Sequence, residues 1–338
     1  MSDENNKRIT FEQFIKTDQK HISDVDNELT ALLQEILQAG KSISSISERA
    51  PISGLTGTDG SVNQHGDKVK KLDLIAEEEM ISALKSATSV CMAVSEETVE
   101  VIHLNSENGN YIVSFDPIDG SSNIDTNLST GTIFSISKRL SKTGGKPDEE
   151  EALQTGDVQV VAGYFLYGPT LVFCFTAGSG VHQFVLDSDT GTFILSRENC
   201  KIPEHGSVYS INEGGVETFS EGVKNYIRYC QEGDPATGRP YLSRYCGAMV
   251  ADIHRILLEG GIFIYPRTDE FPSGKVRMLY ECNPMSFIIE EAGGMSINGR
   301  KRIMEVEPDD IHQQSPIFIG STQNVKTVLS FLEKQDQS

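Results

Sequence analysis

Residues 111–123 read YIVSFDPIDGSSN, and this stretch decides what fold the chain can make. Tyr111 to Phe115 is short, β-prone and bounded by polar residues, so it reads as a buried strand that stops at Asp116. Pro117 fixes its own φ and offers no N–H, while Gly120 tolerates a tight or left-handed backbone. The chain is therefore set to turn between Asp116 and Asp119 and can aim both acids at one point. On this stretch alone an ordinary strand-to-turn connection stays open, because Asp-Pro and Asp-Gly are common turn dipeptides. Gly120, Ser121, Ser122 and Asn123 add backbone N–H groups and short hydroxyls, which suit an anion at a helix start or in a backbone nest. Two carboxylates beside an anion repel it unless a cation lies between them, and a divalent metal removes the conflict.

The neighbouring segments repeat the theme. VCMAVSEE (90–97) reads as a central strand with Glu96 and Glu97 at its carboxyl end. Two strands thus deliver acids to one edge, where ligands of layered α/β proteins tend to bind. Upstream, Leu29, Leu32, Leu33, Ile36 and Leu37 recur at helical spacing, with Asp24 or Asp26 as a cap. Residues 51–67 hold four glycines and little to bury, the composition of a mobile loop or lid. A second helix over 68–86 places Asp73 just beyond it. Residues 142–155 read as a solvated acidic loop. Four strand-like runs follow, the last two joined by a turn at Asp189-Thr190-Gly191. Near residue 198 the pattern changes to a second half, with helices around 217–230 and 248–258 and a strand at 261–265. Asn283 and Pro284 read as the cap and first residue of another helix, closed by Gly293 and Gly294.

The totals bound the function. A chain of 338 residues has room for two domains or one large layered unit. A net charge of −20 argues against a nucleic-acid or anionic-membrane surface. The charge is uneven: residues 239–302 carry nine Lys/Arg against seven Asp/Glu, so an anionic ligand finds its best environment there. Six scattered cysteines without a C-x-x-C pair read as reduced thiols of a cytoplasmic protein. The N-terminal residues lack an apolar signal region, and no stretch reaches the length of a membrane span.

Glu96, Glu97, Asp116, Asp119 and Glu281 fall at element ends. Oxygen-only ligation without a His or Cys cluster suits a hard cation, with Mg²⁺ first and Mn²⁺ as an alternative. At this point the chain resembles the class I fructose-1,6-bisphosphatases, within the magnesium-dependent, lithium-sensitive sugar phosphatases. The motifs that carry the resemblance are GDKVKKLD (66–73), VSEE (94–97), FDPIDGSSNID (115–125), YSINEG (209–214), RYCGAMVADIHR (244–255), GIFIYP (261–266), LYECNPM (279–285) and IHQQSPIFIGS (311–321).

The resemblance implies an α/β fold, a layered αβαβα sandwich with mixed β-sheets. Residues 1–198 would supply the metal ligands and an AMP site, and residues 199–338 the sugar-phosphate pocket. It implies hydrolysis of fructose 1,6-bisphosphate to fructose 6-phosphate, a gluconeogenic step, by in-line attack of an activated water. Glu96, Glu97, Asp116, Asp119, Glu281 and the carbonyl of Ile118 match ligands for two or three Mg²⁺ ions per subunit. Asp73 and Glu97, with Asp67 beside them, match the proton acceptors. Gly120, Ser121 and Ser122 match the 1-phosphate cradle, with Arg277 completing it. Asn212, Tyr245, Tyr265 and Lys275 match a 6-phosphate site, and Arg244 matches an arginine that reaches in from a neighbouring subunit of a homotetramer. Gly247 and Met249 match backbone contacts to the sugar.

Departures from the family pattern are also legible. Gly215 and Val216 stand where relatives often place a tyrosine for the 6-phosphate. The AMP site of inhibited members is matched by Glu28, Thr30 and Tyr111, but Asn110 and Lys138 replace its basic residue and its arginine, so altered AMP control is expected. The cysteine-bearing insertion of light-regulated plastid forms is absent from 140–155, and redox control is not expected. Sedoheptulose 1,7-bisphosphatase, inositol monophosphatase and a non-catalytic metabolite sensor are the competing readings.

Overall fold

The computed structural model describes residues 8–17, 26–62, 68–104, 107–141 and 144–336. Two helices open the chain, α1 (Phe11–Thr17) and α2 (Asn27–Ser53). Asp26 caps α2, its side chain accepting from the Leu29 N–H at 2.8 Å. The five apolar residues at helical spacing are all buried. α2 runs farther than its composition suggests: residues 51–53 still belong to it, with Pro51 in the last turn and Gly54 in the left-handed region as stop. The segment expected to be a loop supplies strand β1 (Thr58–Val62), and Lys68–Lys70, expected to open the second helix, instead form β2, antiparallel to β1. Helix α3 (Lys71–Ser86) follows directly.

The next strands build an eight-stranded sheet: β3 (Val90–Ser95), β4 (Ile102–His103), β5 (Tyr111–Asp119), β6 (Thr130–Lys138), β7 (Gln159–Tyr167), β8 (Leu171–Thr176), β9 (Val181–Asp187) and β10 (Thr192–Cys200). Their order is β10-β9-β8-β7-β6-β5-β3-β4, antiparallel except for β3 beside β5. β5 does not stop at Asp116. Asp116 faces Ile133 and Asp119 faces Gly131, so three steps on β5 oppose two on β6. This bulge absorbs Pro117, which has no N–H to give the ladder, and the chain turns only at Gly120. The acidic segment after β6 is less solvated than its charge suggests, since the Arg139 side chain is nearly buried and pairs with Glu151 at 3.5 Å.

The second half contains β11 (Val208–Ser210), α4 (Glu221–Gln231), β12 (Leu242–Ser243), α5 (Met249–Glu259), β13 (Ile262–Tyr265), β14 (Val276–Arg277), α6 (Asn283–Glu291), β15 (Met295–Ile297), β16 (Gln314–Ser315), β17 (Ile317–Gly320) and α7 (Thr322–Asp336). Five of these strands form a mixed sheet in the order β12-β11-β13-β17-β15. Asn283 is not a cap. A π-helical turn over Met278–Cys282 leads straight into α6, so Asn283 lies inside a continuous helical path.

Three buried clusters define the layers. One lies between α1–α3 and the large sheet, and a second between that sheet, α5, α6 and the small sheet. The third joins the small sheet to α4 and α7. Helix, sheet, helix, sheet, helix is therefore the stacking, as the αβαβα expectation had it. All six cysteines are free thiols. Among the described residues no helix is long and apolar enough to cross a membrane.

Candidate active site

Asp116 and Asp119 leave β5 at the bulge, and Glu281 enters from the π-helical turn. Carboxylate oxygens of these three residues all lie within 4.8 Å of one another. Each is held by a backbone N–H. Ile118 N donates to Asp116 at 2.9 Å, and Arg277 N donates to Glu281 at 2.6 Å. Asp119 accepts from Met249 N at 3.2 Å and Val250 N at 2.6 Å, so it caps α5 from another element. Burial first, then the neighbouring carboxylates, with Glu96 foremost, push Asp116 and Glu281 well above the usual carboxylate range. Burial pushes Asp119 up to about 7 against the two N–H bonds that oppose it.

A cleft of about 390 Å³ opens on this cluster. Its lining includes Asp73, Glu96, Glu97, Ile118, Gly120, Ser121 and Ser122 together with the three clustered acids. Asp73 sits in the first turn of α3 and accepts from Lys70 N at 2.9 Å. Its other oxygen is buried without a partner, and burial pushes this carboxyl up to about 7. A second lobe shares Glu96, Asp119, Ser122, Lys275 and Glu281 with the first, and adds Tyr245, Gly247, Met249, Tyr265 and Arg277. The site is thus one cleft in which Lys275, in both lobes, and Arg277, in the second, line the wall beside the shared acids.

Arg277 is 4 % exposed. Its guanidinium donates to the His312 carbonyl at 3.5 Å and, with the Gln314 amide turned as its neighbours require, to that side chain at 2.7 Å. Gly120 has φ +76, and a Cβ there would meet the Ala248 Cβ at 2.4 Å, so only glycine lets the cradle lie against the start of α5. Asn123 ties the two halves together, its amide donating to the carbonyls of Ser129 at 3.1 Å and Cys246 at 2.9 Å.

Not every expected residue lines the cleft. Asp67 lies outside the described residues. Asn212 is exposed and accepts from Gly214 N at 3.1 Å. Arg244 is exposed as well, its guanidinium turned to the Ser243 carbonyl at 3.0 Å. Glu28, Thr30, Tyr111 and Lys138 come together elsewhere. Asn110 donates to Glu28 at 2.8 Å, the Tyr111 hydroxyl to Asp26 at 3.0 Å, and Thr30 to the Asp26 carbonyl at 3.0 Å. Tyr111 and Lys138 are partners across β5 and β6. Lys70 and Thr58 line the cleft without having been singled out in the sequence. Lys70 pairs with Asp125, whose second oxygen accepts from Gly57 N at 2.8 Å, which fastens the β1–β2 unit to the turn after the cradle. The signal for Lys70 was its place next to the Asp73 helix start.

The residues fit a hard divalent cation. The donors are all oxygen, three carboxylates converge that repel one another without a cation, and Asp73 keeps an unpartnered buried oxygen.

Comparison with known proteins follows the same line. The family models for the fructose-1-6-bisphosphatase N-terminal and C-terminal domains match residues 9–198 and 202–333. A "Fructose-1,6-bisphosphatase class 1" of Chlorobium chlorochromatii is 46% identical over 324 residues, covering 96% of this chain and 97% of that protein. One of Chlorobium phaeovibrioides is 45% identical over 326 residues, covering 96% and 98%. The crystal structure of Leishmania major fructose-1,6-bisphosphatase in holo form superposes with a TM-score of 0.90 at 37% identity, covering 96% of this chain and 99% of that one. Motif, layering and acid cluster therefore converge with overall similarity: the chain belongs to the class 1 fructose-1,6-bisphosphatase family.

Proposed function

We propose that the protein hydrolyses the 1-phosphate of fructose 1,6-bisphosphate, giving fructose 6-phosphate and phosphate, as a divalent-metal-dependent cytoplasmic enzyme of gluconeogenesis. The observation that carries this reading is the cleft itself: three carboxylates within 4.8 Å of one another, with Lys275 and buried Arg277 lining the same cleft. Glu96, Glu97, Asp116, Asp119, Glu281 and the Ile118 carbonyl would hold two or three Mg²⁺ or Mn²⁺ ions. Bound there, such ions neutralise phosphate oxygens and acidify a water.

The chain's own groups account for the rest. Gly120, Ser121 and Ser122 present N–H and hydroxyl donors to the 1-phosphate, and Arg277 adds a fixed guanidinium. Asp73 and Glu97, with Asp67, take the proton of the attacking water. A carboxyl held near pH 7 serves that task well at neutral pH. The water oxygen bonds to phosphorus as the bond to the sugar's C1 oxygen breaks. Lys275, Tyr245, Tyr265 and Asn212 receive the 6-phosphate, and Gly247 and Met249 meet the sugar. Arg244, turned away from its own cleft, serves a neighbouring subunit in a homotetramer. The functional division falls at 198/199, with the metal-binding half first. The Glu28, Thr30, Tyr111 and Lys138 cluster takes AMP, weakly because Asn110 and Lys138 give less phosphate recognition than an arginine.

Phosphate release from fructose 1,6-bisphosphate by purified protein tests the reading. Release with Mg²⁺ and none with chelator is expected. A folded protein inactive in both conditions would return the assignment to a sensor or another bisphosphate.

A further inference from the structure

Residues 244–247 cross from β12 to α5 and carry Tyr245 to the wall of the cleft, and the peptide groups on both sides of Tyr245 are held by one ion pair. Before it, the Arg244 carbonyl accepts from the Arg255 guanidinium at 3.4 Å; after it, Cys246 N donates to the Asp252 carboxylate at 3.0 Å. The Cys246 thiol donates to the same Asp252 oxygen at 3.3 Å, and the other oxygen accepts from Arg255 at 3.1 Å. Asp252 is fully buried in the first turn of α5. An acid at that position ordinarily steadies its own helix through the dipole. Here Asp119 already takes Met249 N and Val250 N, and Asp252 turns its oxygens to the chain ahead of the helix and to Arg255. A bare carboxylate buried behind a phosphate site would cost desolvation and repel the ligand, and the pairing with half-buried Arg255 offsets both.

We propose that Asp252, acting with Arg255, is a positioning residue for the 6-phosphate: it fixes the main chain on either side of Tyr245, and with it the approach of that hydroxyl to the phosphate and the direction in which Arg244 leaves the subunit. The inference rests on the fructose 1,6-bisphosphate reading given above. Asp252 lines neither lobe of the cleft, so it acts through the segment it holds. The sign of its effect separates positioning from charge. A negative charge near an anion site weakens binding, so by charge alone its removal tightens the hold on substrate. Release of the main chain at Tyr245 does the opposite, because a small misplacement of a substrate-positioning group is costly.

Steady-state phosphate release from fructose 1,6-bisphosphate across a Mg²⁺ titration, for wild type, Asp252→Asn, Arg255→Met and Arg255→Lys, tests this. Asp252→Asn should raise KM about tenfold while kcat stays within about threefold and the half-saturating Mg²⁺ is unmoved. The calorimetric Kd for fructose 6-phosphate should rise by a similar factor. Arg255→Met should act in the same direction, and Arg255→Lys should recover part of the loss, since a single Arg255 nitrogen makes both contacts and an ammonium can donate twice. A purely stabilising role predicts a lower melting temperature with KM unchanged. The proposal falls if KM in Asp252→Asn and Arg255→Met equals the wild-type value or drops below it, or if kcat and half-saturating Mg²⁺ move as far as KM, which would put the effect at Asp119 and the start of α5. Should Asp252→Asn fail to fold, Arg255→Met decides alone. Wild-type protein without metal-dependent release overturns the underlying reading and this inference with it, whereas active wild type with unaltered variants overturns this inference alone.

Discussion

Asp119 shows how much one side chain can hold. Its two oxygens close the start of α5 through Met249 N and Val250 N while facing the Asp116 and Glu281 carboxylates. Asp119→Asn keeps one acceptor for the helix, so it should fold, melt within a few degrees of wild type, and lose turnover by about a hundredfold or more, read as phosphate release. Asp119→Ala also loses the cap and should be about 1 kcal/mol less stable by denaturant titration. A second residue reports on pH. Burial lowers the His254 imidazole to about 4, and the Tyr164 hydroxyl bonds its Nδ1 at 2.8 Å. The folded value lies below the unfolded one of about 6.5, so the contribution is full above pH 6.5 and is lost as pH falls toward 4. His254→Gln should therefore lose less stability than wild type between pH 7 and 4.5, by up to about 3 kcal/mol. The acids were legible as residues because strand ends expose them to a common edge. Lys70 was not, because its place in the cleft arises only when β1 and β2 fold back onto the Asp125 turn.

At the scale of elements, irregularity does the positioning. The β5 bulge turns Asp116 and Asp119 toward one cluster, the left-handed Gly120 starts the cradle, and the π-helical turn sets Glu281. Gly120→Ala combines φ +76 with the contact to Ala248. It should lower stability by about 1–3 kcal/mol and raise KM, checked by thermal melting and steady-state kinetics. These irregularities are where periodicity misled. Pro117 and the acids suggested an early end to β5, when an extra residue in the ladder lets the strand continue. Asn283 had the look of a cap, but the preceding turn is already helical. The glycines of 51–67 suggested open loop, although short backbone pairing needs little apolar surface and Thr58–Val62 of that segment forms β1, paired with β2.

For the whole molecule, composition argued against a nucleic-acid or anionic-membrane partner and left the layers undetermined; the five-layer order came from the resemblance, since strands buried on both faces lose the alternation that would reveal their neighbours. Asn123 spans the junction of the two halves, so the cleft exists only when both are folded together. Arg244, exposed and absent from the lining of both lobes, makes the proposed homotetramer testable. Light scattering should return the mass of four chains, and Arg244→Ala should raise KM more than it lowers kcat. The hydrogen bonds beneath the acids have a thermodynamic meaning of their own. Asp73, Asp116, Asp119 and Glu281 are each anchored by a main-chain N–H. The torsional entropy of those side chains is lost when the chain folds, so a cation arrives at a mould already set and has little ordering left to impose. Chelation should then leave the near-ultraviolet circular dichroism unchanged while it abolishes turnover, and exchange of one divalent ion for another should be fast on the timescale of unfolding.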